Sequence, residues 1–263
     1  MSYNIYASSS TSAKDYIILS SGLGGHASFW QPQIASLRKY FHVITYDQEG
    51  CHSDSEILKN DYTMTDMAQQ VLNILEQEKI DTCHFVGHAL GGHIGAELAI
   101  LMKNQNKTLL SLTSINAWDE LDPHTQKCFT ARIALLKHAG QEAYVQAQAL
   151  FLYPPAWISK NIEMIQQAEQ KLLADFPPQQ NVLARLTALQ NFKINQNHRN
   201  ALKNTQIHLI VNLDDFLVPH QKTIDLYHKL GHGKYSVLDT GAHASTVTES
   251  EKLNEIIVNF LVQ

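Results

Sequence analysis

Short β-branched runs alternate with longer amphipathic stretches along most of this chain, and that rhythm leaves few folds open. Tyr16–Ser20 (YIILS), His42–Tyr46 (HVITY), Thr82–Val86 (TCHFV), Leu109–Ile115 (LLSLTSI), Ile207–Val211 (IHLIV) and Lys234–Leu238 (KYSVL) read as buried strands. Thr63–Lys79 places Met64, Met67, Val71, Ile74 and Leu75 at intervals of three or four, the spacing of one helix face; Gly91–Met102 and Glu249–Leu261 behave similarly. The alternation predicts an α/β fold with a mostly parallel sheet flanked by helices. Asn4–Ala7 reads as an added antiparallel edge strand, with the Ser8–Ser12 tract as its turn.

The rhythm stops between Ala117 and Thr205, where successive helical stretches are broken by Pro154-Pro155 and Pro177-Pro178. A proline pair ends a helix because it lacks the N–H and disfavours a helical residue before it. Phe129, Tyr144, Phe151, Tyr153 and Trp157 fall in this stretch. It predicts a helical cap over residues 117–204, inserted after the sixth core strand, with residues 1–116 and 205–263 forming the core. A lid of this kind excludes water from a pocket beneath it; the alternative is a second small domain with no part in any site.

Composition narrows the function classes. At 263 residues with 44% hydrophobic and 17% charged, the chain buries enough surface for one large core and is not disordered. The net charge of −5 comes without any Lys/Arg cluster, so nucleic acid has no electrostatic footprint. No apolar run reaches the roughly 18 residues of a membrane span, and the segment from Met1 to Leu19 does not read as a signal peptide. Cys51, Cys83 and Cys128, odd in number and widely spaced, predict reduced thiols and a cytoplasmic location. The association state is left open between monomer and homodimer.

The most informative segment is His84-Phe85-Val86-Gly87-His88-Ala89-Leu90-Gly91-Gly92, which has the frame of G-x-S-x-G, the strand–turn–helix elbow of α/β-hydrolases. Gly87 and Gly91 flank a turn in which a side chain would collide with the neighbouring strand and helix. The apex, however, is Ala89, and a methyl group cannot attack a carbonyl or hold a covalent intermediate. The other parts follow in hydrolase order. Asn212-Leu213-Asp214-Asp215-Phe216-Leu217-Val218-Pro219 resembles the acid-bearing G-x-x-D-x-x-x-P segment, with Asp215 four residues before the proline, Asn212 where glycine is usual, and Asp214 as the rival acid. Asp239-Thr240-Gly241-Ala242-His243 lies between the last strand and the final helix, where that family places its histidine. Ser20-Ser21-Gly22-Leu23-Gly24-Gly25 follows a buried strand. The backbone N–H groups of Leu23 and Leu90 should therefore converge as an anion hole that needs no hydroxyl at position 89. Tyr46-Asp47-Gln48-Glu49-Gly50-Cys51-His52-Ser53 resembles the D-x-R-G-x-G-x-S turn of the same fold and reads as a fold marker, not a site.

Nearly the whole chain thus resembles an α/β-hydrolase. Ser21–Trp30 (SGLGGHASFW), Y-D-Q-E-G, V-G-H-A-L-G and F-L-Y-P-P-A-W resemble one subgroup, found in the bacterial Rut pathway of pyrimidine utilisation. That resemblance implies that alanine at position 89 is native, and that the chain is a hydrolase of C–N bonds other than peptide bonds in uracil degradation and nitrogen metabolism. Its substrate would be carbamate or 3-aminoacrylate, and ammonia would be released. Both are small anions, and a net negative protein does not steer them, so attraction has to be local. His243 oriented by Asp215 would carry the proton, and Leu23 and Leu90 would hold the carboxylate. Three other readings stay open: a non-catalytic small-ligand binding protein on the same scaffold, cofactor-free lyase or oxygenase chemistry, and a serine enzyme altered at position 89.

Further side chains fill out the expectation. His26, on the loop after the first buried strand, and Trp118, just past Ile115, are placed to line the pocket. His88 reads as a packed structural histidine. No metal site is expected, because His84, His88 and His93 straddle strand, turn and helix, and His228 and His232 meet a helix end at Gly231. With no P-loop and no G-x-G-x-x-G after a strand, no cofactor is expected.

Overall fold

The computed structural model describes residues 2–262; Met1 and Gln263, the outer limits of the expected core, lie outside the described residues. Seven strands form one sheet: β1 (Tyr3–Tyr6), β2 (Tyr16–Ser20), β3 (His42–Tyr46), β4 (Thr82–His88), β5 (Thr108–Ile115), β6 (Gln206–Asn212) and β7 (Lys234–Leu238). Their spatial order is β1-β3-β2-β4-β5-β6-β7, all parallel except β1, which runs antiparallel to β3 with Tyr3 opposite Tyr46. Three of the six expected buried strands have the bounds read from the sequence. The others extend by one or two residues into polar ends such as Gly87-His88 and Asn212, where ladder pairing continues past the apolar run.

Helices cover both faces. On one side α1 (Gln31–Leu37) and α12 (Ser250–Leu261) pack on Ile17, Leu19, Val43 and Val86. On the other, α2 (Met64–Gln77) and α3 (Leu90–Asn104) bury the alternate residues Ile18, Ile44 and Phe85, as the two-residue repeat of a strand requires. The α2 helix starts at a reciprocal cap between Thr63 and Asp66, a device contributing about 1 kcal/mol.

The strand-free stretch is helical throughout: α4 (Pro123–Ala134), a π turn over Leu135–Ala139, α5 (Gly140–Leu152), α6 (Pro155–Lys160), α7 (Ile162–Ala174), α8 (Gln179–Asn191) and α9 (Gln196–Leu202). Both proline pairs fall at helix boundaries, before α6 and before α8. One expectation is corrected: these helices leave the sheet after its fifth strand in chain order, not its sixth. Among the described residues the N-terminal segment supplies only β1 before β2, and the serine tract that follows β1 is bend and turn. After β6 come α10 (His220–Leu230), β7 and the short α11 (Ser245–Thr248), which brings the chain back to the sheet's C-terminal edge. No helix among the described residues is long and apolar enough to cross a membrane. The three cysteines are free and buried.

Candidate active site

The loops at the C-terminal ends of β2, β4, β6 and β7 meet at the foot of a cavity of about 810 Å³. Helices α4, α5, α7 and α8 supply its other wall, through Phe129, Arg132, Tyr144, Leu172 and Arg185 among others. Leu23, His26, Ala89, Leu90, Trp118 and His243 all line it, so the residues singled out for a pocket face one space.

The elbow is built as the sequence demands. Ala89 adopts φ 47°, ψ −108°, a conformation that costs a non-glycine residue about 1–3 kcal/mol. Its surroundings impose the turn: a Cβ on Gly87 would lie 2.2 Å from the Gly91 carbonyl carbon, and one on Gly91 would lie 2.1 Å from the Ser20 carbonyl oxygen. Ala89 donates its own N–H to the Ile115 carbonyl (2.8 Å). The next N–H, on Leu90, begins α3 with no side-chain cap, and that of Leu23 makes no hydrogen bond among the described residues. Both stay available, as the first donors of a helix and of a tight loop do.

Opposite the elbow, His243 Nδ1 lies 2.7 Å from Asp215 Oδ2. A carboxylate only accepts, so Nδ1 carries the hydrogen, and Nε2 is the ring nitrogen left to exchange a proton. The other carboxylate oxygen of Asp215 accepts the N–H groups of Leu217 (2.8 Å) and Val218 (3.0 Å), which locks the acid's orientation. The rival Asp214 is exposed and instead accepts the N–H groups of Gly241 and Ala242, shaping the histidine loop.

Several residues have contacts at the site that the sequence reading did not give them; His88, read as a packed structural histidine, is buried. His88 Nε2 donates to the His243 carbonyl at 2.7 Å, and burial lowers its imidazole to about 3, so it stays neutral. Asn116 donates to the same carbonyl at 3.0 Å and to Asn212 Oδ1, while Asn212 reaches the Thr240 carbonyl. The asparagine standing where glycine is usual thus ties three strand ends together. The turn after β3 was read as a fold marker only, and this is corrected: Asp47 and His52 reach the cavity wall, because Asp47 Oδ1 accepts the Ala27 N–H and draws the two loops together. His52 in turn holds Asp175 at the end of α7 (2.6 Å); burial disfavours the charged imidazole, but the Asp175 and Asp47 carboxylates together outweigh it and raise its pKa. Two buried arginines, Arg132 and Arg185, complete the wall. Their signal was legible: Arg185 shares the helical spacing of Val182, Leu186 and Leu189, an apolar face on which a cation is out of place.

His26, Asp47, Cys51 and His52 bring potential metal-ligand atoms within 4.8 Å of one another. The charge of Arg185 acts on both Cys51 and His26, which disfavours a second cation there. Burial pushes the Cys51 and Cys83 thiols up to about 12, so neither is a substitute nucleophile. His84, His88 and His93 turn to three separate partners, Ser111, His243 and Trp118.

A family profile described as the alpha/beta hydrolase fold matches residues 15–249. A protein of Acinetobacter baylyi named "Putative carbamate hydrolase RutD" is 50% identical over 261 residues, 99% of this chain and 98% of that one. Another of the same name from Yersinia enterocolitica is 39% identical over 100% of this chain and 92% of its own. The chain belongs to the RutD group of α/β-hydrolases. The enol-lactonase of Burkholderia xenovorans superposes on this RutD-group chain with a TM-score of 0.84 at 21% identity, covering 100% of this chain and 96% of that one, a likeness of fold.

Proposed function

We propose that this chain is a C–N hydrolase of pyrimidine breakdown that works without a covalent intermediate. His243 moves the proton, Asp215 holds its tautomer, and the Leu23 and Leu90 N–H groups receive negative charge. The observation that carries the reading is the pairing of an intact His243–Asp215 couple, 2.7 Å apart, with a methyl group at the elbow apex. The relatives' name, carbamate hydrolase, supports carbamate as the substrate; the same apparatus also suits 3-aminoacrylate.

The chemistry needs no nucleophilic side chain in either case. Carbamate takes a proton on nitrogen from the His243 imidazolium, the C–N bond then breaks, ammonia and carbon dioxide leave, and the imidazole regains its proton from solvent. Aminoacrylate takes that proton on the carbon next to its carboxylate and becomes an iminium; the now neutral imidazole deprotonates water as it adds to the C–N carbon, and the new hydroxyl's proton passes to the departing nitrogen, releasing ammonia and leaving an aldehyde. Proton transfer by a positioned group contributes about 10²–10⁴-fold. The helices between β5 and β6 act in this reading as the cap that keeps bulk water from the site, and the enzyme works in the cytoplasm on a small anion.

The test is a side-by-side assay in which carbamate and aminoacrylate are generated in place and their decay is followed separately, with wild-type protein, His243→Ala and no protein. Faster decay of one compound that depends on His243 supports the reading. Equal rates in all three arms refute it and leave a ligand-binding scaffold.

A further inference from the structure

Arg185, on α8, is 2% exposed, yet no carboxylate lies within ion-pair distance of it among the described residues. Its one hydrogen bond there goes to Gln48 Oε1, and its Nε has no partner. A guanidinium keeps its charge and presents five N–H donors in a fixed fork, so most of this fork is unsatisfied. A buried charge without a counter-charge is costly unless something else pairs with it. Arg132, the other buried arginine of the cavity, also has an Nε without a partner, but its charge is met by aromatic faces. It lies 5.7–5.9 Å from the ring centroids of Phe129, Tyr144 and Phe151 and hydrogen-bonds Gln148 and Tyr144.

The position of Arg185 is specific. Its two terminal nitrogens lie 2.7 and 2.9 Å from where a Cβ on Gly25 would stand, so the glycine makes room for the fork as well as for its own φ of 86°. Gln48, its partner, also donates to the Ser21 carbonyl at 2.7 Å, which fixes the guanidinium to the loop that carries Leu23. Gln48 follows β3 and Ala89 follows β4, and these strands flank β2 on opposite sides. The two strand ends are therefore two sheet spacings, about 10 Å, apart.

We propose that Arg185 is a carboxylate-binding residue at a second pole of the cavity, distinct from the His243, Leu23 and Leu90 centre. The ligand it fits is a short-chain carboxylate whose charged end is separated by a few bonds from the reacting C–N group. Carbamate, whose one anionic group is the group that reacts, cannot occupy both poles. The choice of ligand rests on the acid–base reading above, whereas the carboxylate contact itself does not.

The probe is sodium propionate against propionamide, its neutral isostere, titrated into the full chain and followed by ligand NMR. Wild type should bind propionate more tightly than propionamide. Arg185→Gln should weaken propionate about 10–150-fold, the span expected for losing a hydrogen bond to a charged group, and weaken propionamide, a neutral acceptor, far less; Arg185→Lys should retain part of the affinity. Propionate binding is read without any turnover, so its outcome stands apart from the proposed chemistry. Should Arg185→Gln fail to fold, the arginine Nε–H resonances of the ¹⁵N-labelled wild type serve instead, and one of them should shift with propionate and not with propionamide. Equal binding of the two probes by wild type, unchanged propionate affinity in Arg185→Gln, or a loss confined to Arg132→Gln each overturns the assignment.

Discussion

His88 donates its Nε2 hydrogen to the carbonyl oxygen of His243 at 2.7 Å, so the residue just before the elbow apex holds the loop that carries the imidazole. Asn116 donates to the same oxygen. Replacing His88 with leucine should therefore cost about 1 kcal/mol, the low end for a lost buried hydrogen bond, because one donor remains. Urea unfolding measures that cost, and ammonia release should fall as the loop loosens.

Asp215→Asn keeps the shape of the pair but turns a pure acceptor into a group that can also donate. The imidazole then loses its enforced tautomer, and turnover should drop about 10²–10⁴-fold with the midpoint of thermal unfolding little changed. Unaltered turnover would contradict the role assigned to the couple.

Ala89→Ser places a hydroxyl at a strained apex in the cavity that His243 lines. We expect this variant to be labelled covalently by a fluorophosphonate, one adduct per chain by intact mass, while wild type stays unmodified. An unlabelled Ala89→Ser protein would mean that the imidazole does not reach the apex.

Gly91→Ala would set a Cβ 2.1 Å from the Ser20 carbonyl oxygen, a contact with backbone that no rotamer relieves. The expected loss exceeds about 4 kcal/mol, in the range reserved for gross steric conflict. It should appear as insoluble or molten protein by near-ultraviolet circular dichroism.

His88 and His93 are buried, and desolvation lowers each from 6.5 to about 3. Between those values the unfolded chain binds protons that the folded chain refuses. Stability is thus complete above pH 6.5 and declines as pH falls towards 3, by about 1.4 kcal/mol per pH unit for each histidine. Urea titrations at pH 7, 6 and 5 should show the slope, and His93→Gln should reduce it.

The strands were legible because a buried parallel strand must be a short apolar run between breakers. The elbow was legible because its glycines answer a collision that the structure displays atom by atom. Asp215 was preferred over Asp214 by its distance to Pro219, and it is the carboxylate that hydrogen-bonds His243. What sequence did not reveal is contact at long range: nothing in the chain order says that Arg185 meets Gln48, or that Asn116 and Asn212 clasp the histidine loop. The turn after β3 was undervalued because a motif that marks a fold was assumed to do nothing else, whereas Asp47 and His52 face the cavity. The misplaced insertion point has a simpler origin: only five of the strands read from the sequence precede Ala117, and the sixth comes after the helices.

The sharp bend at Ala89 is enforced by the bareness of Gly87 and Gly91, not by whatever sits at its tip. A scaffold of this design is indifferent to the presence of one oxygen atom there. A single codon change exchanges that methyl for a hydroxyl with the Gly87–Gly91 frame and the His243–Asp215 pair left where they are.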